Sequence, residues 1–141
     1  MFLTEKEILD TPNALKKTYN CFCEMADEIN AFFKTNTARK FTFFGCGSSY
    51  MLSKSAAALF SSFENTTAFA IAAGEYIINP AFFKEMVKDS IVVTVSRSGK
   101  TSEMVKAVKH IKETLGCDVI SISMKDENDI MPMSRLNITL D

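Results

Sequence analysis

Between positions 15 and 33 apolar side chains recur every three or four residues: Leu15, Tyr19, Phe22, Met25 with Ala26, Ile29 and Phe33. That spacing predicts one amphipathic helix whose stripe packs on a core. Thr11 reads as its cap and Pro12 as its first helical residue. Phe32 falls off the stripe and is expected to meet a partner subunit. After Arg39 and Lys40 the period shortens. Phe41–Phe44 reads as a short buried strand stopped by Gly45-Cys46-Gly47, and Ser48 or Ser49 caps a helix running to about Ser62. Thr66–Ala72 reads as a second strand, and Gly74–Ile78 with Ala81–Val87 as a helix broken around Pro80. Ser90–Val95 is a β-branched run, the clearest strand in the chain. Thr101–Leu115 carries Met104, Val105, Val108, Ile111 and Leu115 on one helical face and stops at Gly116. Asp118–Ser123 and Leu136–Leu140 are the last strands, with an irregular Asp/Asn/Pro segment between them.

Strands that alternate with helices and are apolar on both faces predict an α/β domain with a parallel sheet. Five strands joined by right-handed crossovers wind most simply as 2-1-3-4-5. The expected fold is therefore a three-layer, doubly wound, five-stranded parallel sheet with flavodoxin-like winding and an N-terminal helix. Residues 1–38 form the N-terminal helical segment and 39–141 the sheet domain. The chain's 141 residues suit one domain, and 47% hydrophobic residues suffice for a core. A net charge of −1 gives no case for nucleic-acid binding. Apolar runs such as Ala68–Ala73 are far short of the ~18–20 residues of a membrane span. The acidic start does not read as a signal peptide. Four cysteines without a C-x-x-C pair, beside a single histidine, support neither a disulfide scaffold nor a metal site. A cytoplasmic protein without metal or cofactor is the expectation.

In open α/β sheets ligands bind beyond the carboxyl ends of the strands, where the winding reverses. Here that crevice lies between strands 1 and 3, which are followed by Gly45-Cys46-Gly47-Ser48-Ser49-Tyr50 and Ser96-Arg97-Ser98-Gly99-Lys100-Thr101. Each loop enters a helix N-terminus, where unpaired N–H groups and the dipole favour an anion. Small hydroxyls add donors, so the pair describes a phosphate site. Three or four hydrogen bonds to a phosphate contribute about 1.5–3 kcal/mol each, and association costs at least ~4 kcal/mol. The remainder corresponds to roughly millimolar to micromolar affinity, suited to a metabolite. Rival motifs fail on single residues. Tyr50 stands where a dinucleotide fingerprint has its third glycine, and Thr94 where a Walker A loop has its first.

The two loops, their order and spacing, and the intervening Ala72–Tyr76 stretch resemble the sugar isomerase (SIS) domain. The likeness, over about Phe41 to Leu140, is to the first isomerase half of glucosamine-6-phosphate synthases and to related phosphosugar isomerases and deglycases. The resemblance implies that Ser96, Ser98 and Thr101 hold a sugar phosphate through their hydroxyls, helped by the backbone at Arg97 and Gly99. By the same likeness Ser49 contacts phosphate or sugar, Cys46, Gly47 and Ser48 line the wall, and the backbone at Ser123 and Met124 closes another side. Arg97 departs from the synthases' typical glutamine. The family's acid/base groups come from segments downstream of the fifth strand, which implies the first half of a tandem SIS protein. Isomerisation needs a base and an acid, and within the chain Glu75 is the candidate base. His110 and Glu103 read as surface or packing residues, and Cys46, at a helix N-terminus, as a thiol of lowered pKa without a base beside it. The implied function is sugar-phosphate binding within an isomerase, aminotransferase or deglycase, with this chain alone inactive. The alternative is a non-catalytic sugar-phosphate sensor. Phe32, Phe82 and Phe83 are expected on a surface that joins copies into a homodimer or larger assembly.

Overall fold

The structure, a computed structural model, describes residues 2–140. The N-terminal helix α1 runs from Leu3 to Glu24 and α2 from Ala26 to Thr35. Helix α1 therefore starts well before Thr11. The Thr11 hydroxyl donates back to the Glu7 carbonyl at 3.3 Å instead of capping, and Pro12 lies inside the helix. An interior proline is tolerated because the helix has no buried residue and can bend into solvent. The predicted stripe also divides. Met25 breaks the helix and resets its phase, so Leu15 and Tyr19 stay exposed while Met25 and Ile29 pack with Phe32. Phe32 is 6% exposed and belongs to the core, which corrects its assignment to a subunit contact.

The sheet consists of β1 (Lys40–Gly45), β2 (Thr67–Ala72), β3 (Ile91–Val95), β4 (Val119–Ser123) and β5 (Leu136–Thr139). All neighbours pair in parallel in the order β2-β1-β3-β4-β5. This is the predicted winding, and it follows from strands buried on both faces. Helices α3 (Ser48–Phe60) and α2 cover one face, burying Phe41, Phe43, Ile91, Val93, Ile120 and Ile138. Helices α4 (Ala73–Ile78), α5 (Pro80–Val87) and α6 (Ser102–Leu115) cover the other, over Phe44, Ile71, Val92 and Val119. Gly116 ends α6 in the left-handed region at φ 64°, as its position predicts.

At the amino ends of the strands, Arg135 ties three segments together. It bonds Asp118 at 2.7 Å and Thr35 at 2.7 Å and lies over the Phe32 ring, while Asn36 donates to the same Asp118 carboxylate. On the α4 side, Phe82 is exposed and Phe83 packs half-buried on the core, so the expected Phe82-Phe83 patch is only half a surface. Among the described residues no helix is long and apolar enough to cross a membrane.

Candidate functional site

Strand β1 ends at Gly45, where a Cβ would lie 2.5 Å from backbone atoms of Ser49 and Tyr50. Only glycine lets the first turn of α3 close over the strand end. Gly47 is the N-cap, at φ 54° and ψ −125°, so Ser48 and Ser49 lie inside α3 instead of capping it. The turn then consumes its own donors. Ser49 N–H donates to the Cys46 carbonyl and Tyr50 N–H to that of Gly47, each at 3.1 Å. The open anion-binding end expected at α3 is thus largely closed by tight i→i−3 bonds.

The second loop is braced from several sides. Ser96 is 6% exposed; its N–H donates to the Ile122 carbonyl, and its Oγ accepts from Gly99 N–H at 3.1 Å. The Ser96 hydroxyl also lies 3.5 Å from that of Thr101, and Lys100 N–H donates to Ser98 Oγ. Gly99 N–H is therefore committed within the loop. Gly99 has φ 61°, and a Cβ on it would lie 2.2 Å from the Asn128 side chain. Asn128 is itself locked. Its amide donates to Ser123 Oγ and the Lys125 carbonyl, and its Oδ1 accepts from Ile130 and Met131 N–H. Met124 N–H donates to the Arg97 carbonyl at 3.1 Å, so the Ser123-Met124 backbone holds the loop. Sequence reasoning missed Asn128. Its only local signal is an asparagine in a turn-rich run, which reveals an Asx turn but not the glycine it meets.

Thr101 caps α6 through its backbone, without a side-chain cap bond, and leaves its hydroxyl to the crevice. The two loops meet around a cavity of about 230 Å³ lined by Cys46, Ser49, Val95, Ser96, Arg97, Ser98, Thr101 and Met104. Of the anticipated residues, Gly47, Ser48 and Gly99 are not in the lining, while Met104, fully buried in the apolar stripe of α6, supplies part of the floor. A wider depression of about 620 Å³ lies by the start of β1, floored by Phe33, Phe41, Phe60 and Phe63. It lacks the cluster of hydroxyls that marks the smaller cavity.

The ionisable groups in the crevice lining are Cys46 and Arg97. Burial pushes the Cys46 thiol up and the Glu103 charge adds to it, against partial relief from the backbone of Ala73 and Gly74. The sequence expectation of a lowered thiol pKa is therefore reversed, because desolvation outweighs the helix end. Glu103 is exposed. It accepts from its own N–H and from the Ser102 hydroxyl at 2.9 Å, and its carboxyl is held below the usual range by those two bonds. Glu75 is exposed on the first turn of α4, outside the lining. His110 lies on α6 with Nδ1 3.0 Å from the buried Tyr76 hydroxyl, also away from the crevice.

Glutamine–fructose-6-phosphate aminotransferase (isomerizing) of Campylobacter jejuni is 29% identical over 97% of this chain, which spans 23% of that relative's length. Among solved structures, tagatose-6-phosphate ketose/aldose isomerase of Escherichia coli superposes with a TM-score of 0.84 at 18% identity, over 98% of this chain and 40% of its own. Protein c3406 of Escherichia coli CFT073, solved as a ligand complex, matches with a TM-score of 0.71 at 23% identity, over 99% of this chain and 74% of its own. These two likenesses establish a shared fold. The SIS domain family matches residues 35–141, which takes in the whole sheet and both loops. Its sheet order, its paired strand-end loops and that match agree: the chain belongs to the SIS domain family.

Proposed function

We propose that the crevice between the β1 and β3 loops binds the phosphate of a sugar phosphate. The observation that carries this reading is the convergence of the Ser49, Ser96, Ser98 and Thr101 side chains on one cavity beside the α6 N-terminus. Four hydroxyls and the first-turn N–H groups of α6 not taken by the Glu103 carboxylate offer donors to a tetrahedral oxyanion. Arg97, an exposed residue of the lining, would add the charge that strengthens such bonds. The relatives' names, an aminotransferase and ketose/aldose isomerases acting on hexose phosphates, support a hexose or amino-sugar phosphate. In phosphate-free buffer, glucose 6-phosphate or fructose 6-phosphate should raise Tm, whereas glucose should not. Ser98→Ala with Thr101→Ala should weaken calorimetric affinity about a hundredfold or more, from two lost charge-assisted bonds, and leave the unliganded Tm nearly unchanged. Equal shifts with glucose and glucose 6-phosphate would overturn the reading.

On this reading the chain is the binding half of a larger isomerase, aminotransferase or deglycase, with residues 39–141 as the sugar-phosphate domain. Positioning alone does not move a proton between C1 and C2. The crevice lining offers a thiol held protonated and a guanidinium, neither of which is a base near neutral pH. Deuterium exchange at C1 of bound fructose 6-phosphate, or at C2 of bound glucose 6-phosphate, should stay at the buffer rate. Exchange abolished by Glu75→Gln would instead place the base on α4.

A further inference from the structure

A cavity of about 420 Å³ opens between α4, α5 and α6, within the size range of small-molecule sites. It is separate from the crevice: His110, in its lining, lies about 9 Å along α6 from Met104. Pro80, Ala81 and Leu115 give it apolar walls. Thr114 contributes no donor, because its hydroxyl donates to the His110 carbonyl at 2.7 Å. Lys84 and His110 remain for the polar end of a ligand, and among the described residues no acid stands in the lining with them.

Tyr76 determines what His110 offers. The tyrosine is 1% exposed, and among the described residues its hydroxyl has one hydrogen-bond partner, His110 Nδ1 at 3.0 Å. A buried O–H needs an acceptor. Burial, with Cys117 adding to it, pushes the Tyr76 pKa up, so the proton stays on the oxygen. The hydroxyl therefore donates to Nδ1, which leaves the ring proton on Nε2. Protonating the ring would add a proton at Nδ1 and still leave Nε2–H a donor. Among the described residues neither Nε2 nor the exposed Lys84 ammonium has a partner. Two donors and one positive charge match the two oxygens of a carboxylate, whereas the four hydroxyls of the crevice suit a tetrahedral anion. We propose that this cavity is a second ligand site, which takes the carboxylate of a small organic acid between Lys84 and His110 Nε2 and its apolar body against Pro80, Ala81 and Leu115. This does not depend on what the crevice binds.

His110 is the single histidine, so its ring C–H resonances report on this cavity directly. Titration of the full chain with benzoate at fixed pH and ionic strength should move them along a saturating curve. The Kd should be millimolar, as two charge-assisted bonds allow against the cost of association. Benzyl alcohol, which has the ring but no charge, should leave them in place. Lys84→Gln should weaken benzoate binding about fivefold, the upper end for an exposed ion pair, and Lys84→Arg should keep it. Because Lys84 is exposed, both variants should hold the wild-type Tm. Ser98→Ala with Thr101→Ala should leave the benzoate curve unchanged, which separates this site from the crevice. A shift that never saturates, one that benzyl alcohol reproduces, or an affinity indifferent to Lys84→Gln would overturn the inference. So would inorganic phosphate that binds as tightly as benzoate, or a benzoate curve lost with the Ser98 and Thr101 hydroxyls.

Discussion

At position 45 a methyl group has nowhere to go, because the atoms it would meet are the backbone of α3 rather than a side chain that can swing aside. Gly45→Ala should therefore cost about 3 kcal/mol or more. At Gly47 the space is open, and only the positive φ resists. Gly47→Ala should cost about 1–2 kcal/mol, and urea unfolding of the two variants separates the causes. Titration is the second residue-scale test. Cys117 is buried and donates its S–H to the Val87 carbonyl, and burial pushes its pKa up, as it does that of Cys46. The unfolded chain therefore loses these protons first as pH rises through about 8.5. Stability is full below that value and declines above it, until the folded thiols themselves ionise. Denaturation midpoints between pH 7 and 10 should trace this decline, and Cys117→Ser should flatten it. Glycine and serine positions at the strand ends were legible in the sequence because their reason is local. The direction of the Cys46 shift was not, since it depends on what the folded chain places around the sulfur.

Among the elements, the strands and crossover helices could be read because each strand is apolar on both faces and each helix on one. The start of α1 misled. A threonine before a proline looks the same at a cap as inside a solvent-exposed helix, and only the missing tertiary contacts tell them apart. Phe32 misled for a related reason, since a one-residue break at Met25 turns α2 relative to α1 and brings an off-stripe residue inward. The segment between β4 and β5 had no periodicity to read, yet it supplies Asn128, the residue that shapes the second loop. Asn128→Ala should lose about 2–3 kcal/mol of stability, as its buried partners go unmet, and should weaken sugar-phosphate affinity as well. Ile138→Ala, in the core on the α2 side of the sheet, should cost about 2–5 kcal/mol and leave affinity alone. Affinity that follows stability equally in both variants would reduce Asn128 to an ordinary core residue.

For the whole molecule, parallel winding means that no two neighbouring strands are joined by a hairpin, and each pairing waits for a crossover, helical as far as β4 and irregular between β4 and β5. The interior strand β1 pairs with both β2 and β3, so the two loops come together only when β1 and β3 are paired. The Arg135 clamp joins the end of α2 to the starts of β4 and β5, and so closes the last edge onto the first layer. A chain leaving the ribosome exposes its amino end first. The loop from Ser96 to Thr101 is thus synthesised well before the Met124 N–H and the Asn128 side chain that hold it. During that interval both serine loops exist as sequence without the cavity existing as a shape. On the proposed function, the nascent polypeptide should be blind to a sugar phosphate until the segment before β5 emerges, and such a metabolite should not act as a cotranslational chaperone for the early sheet.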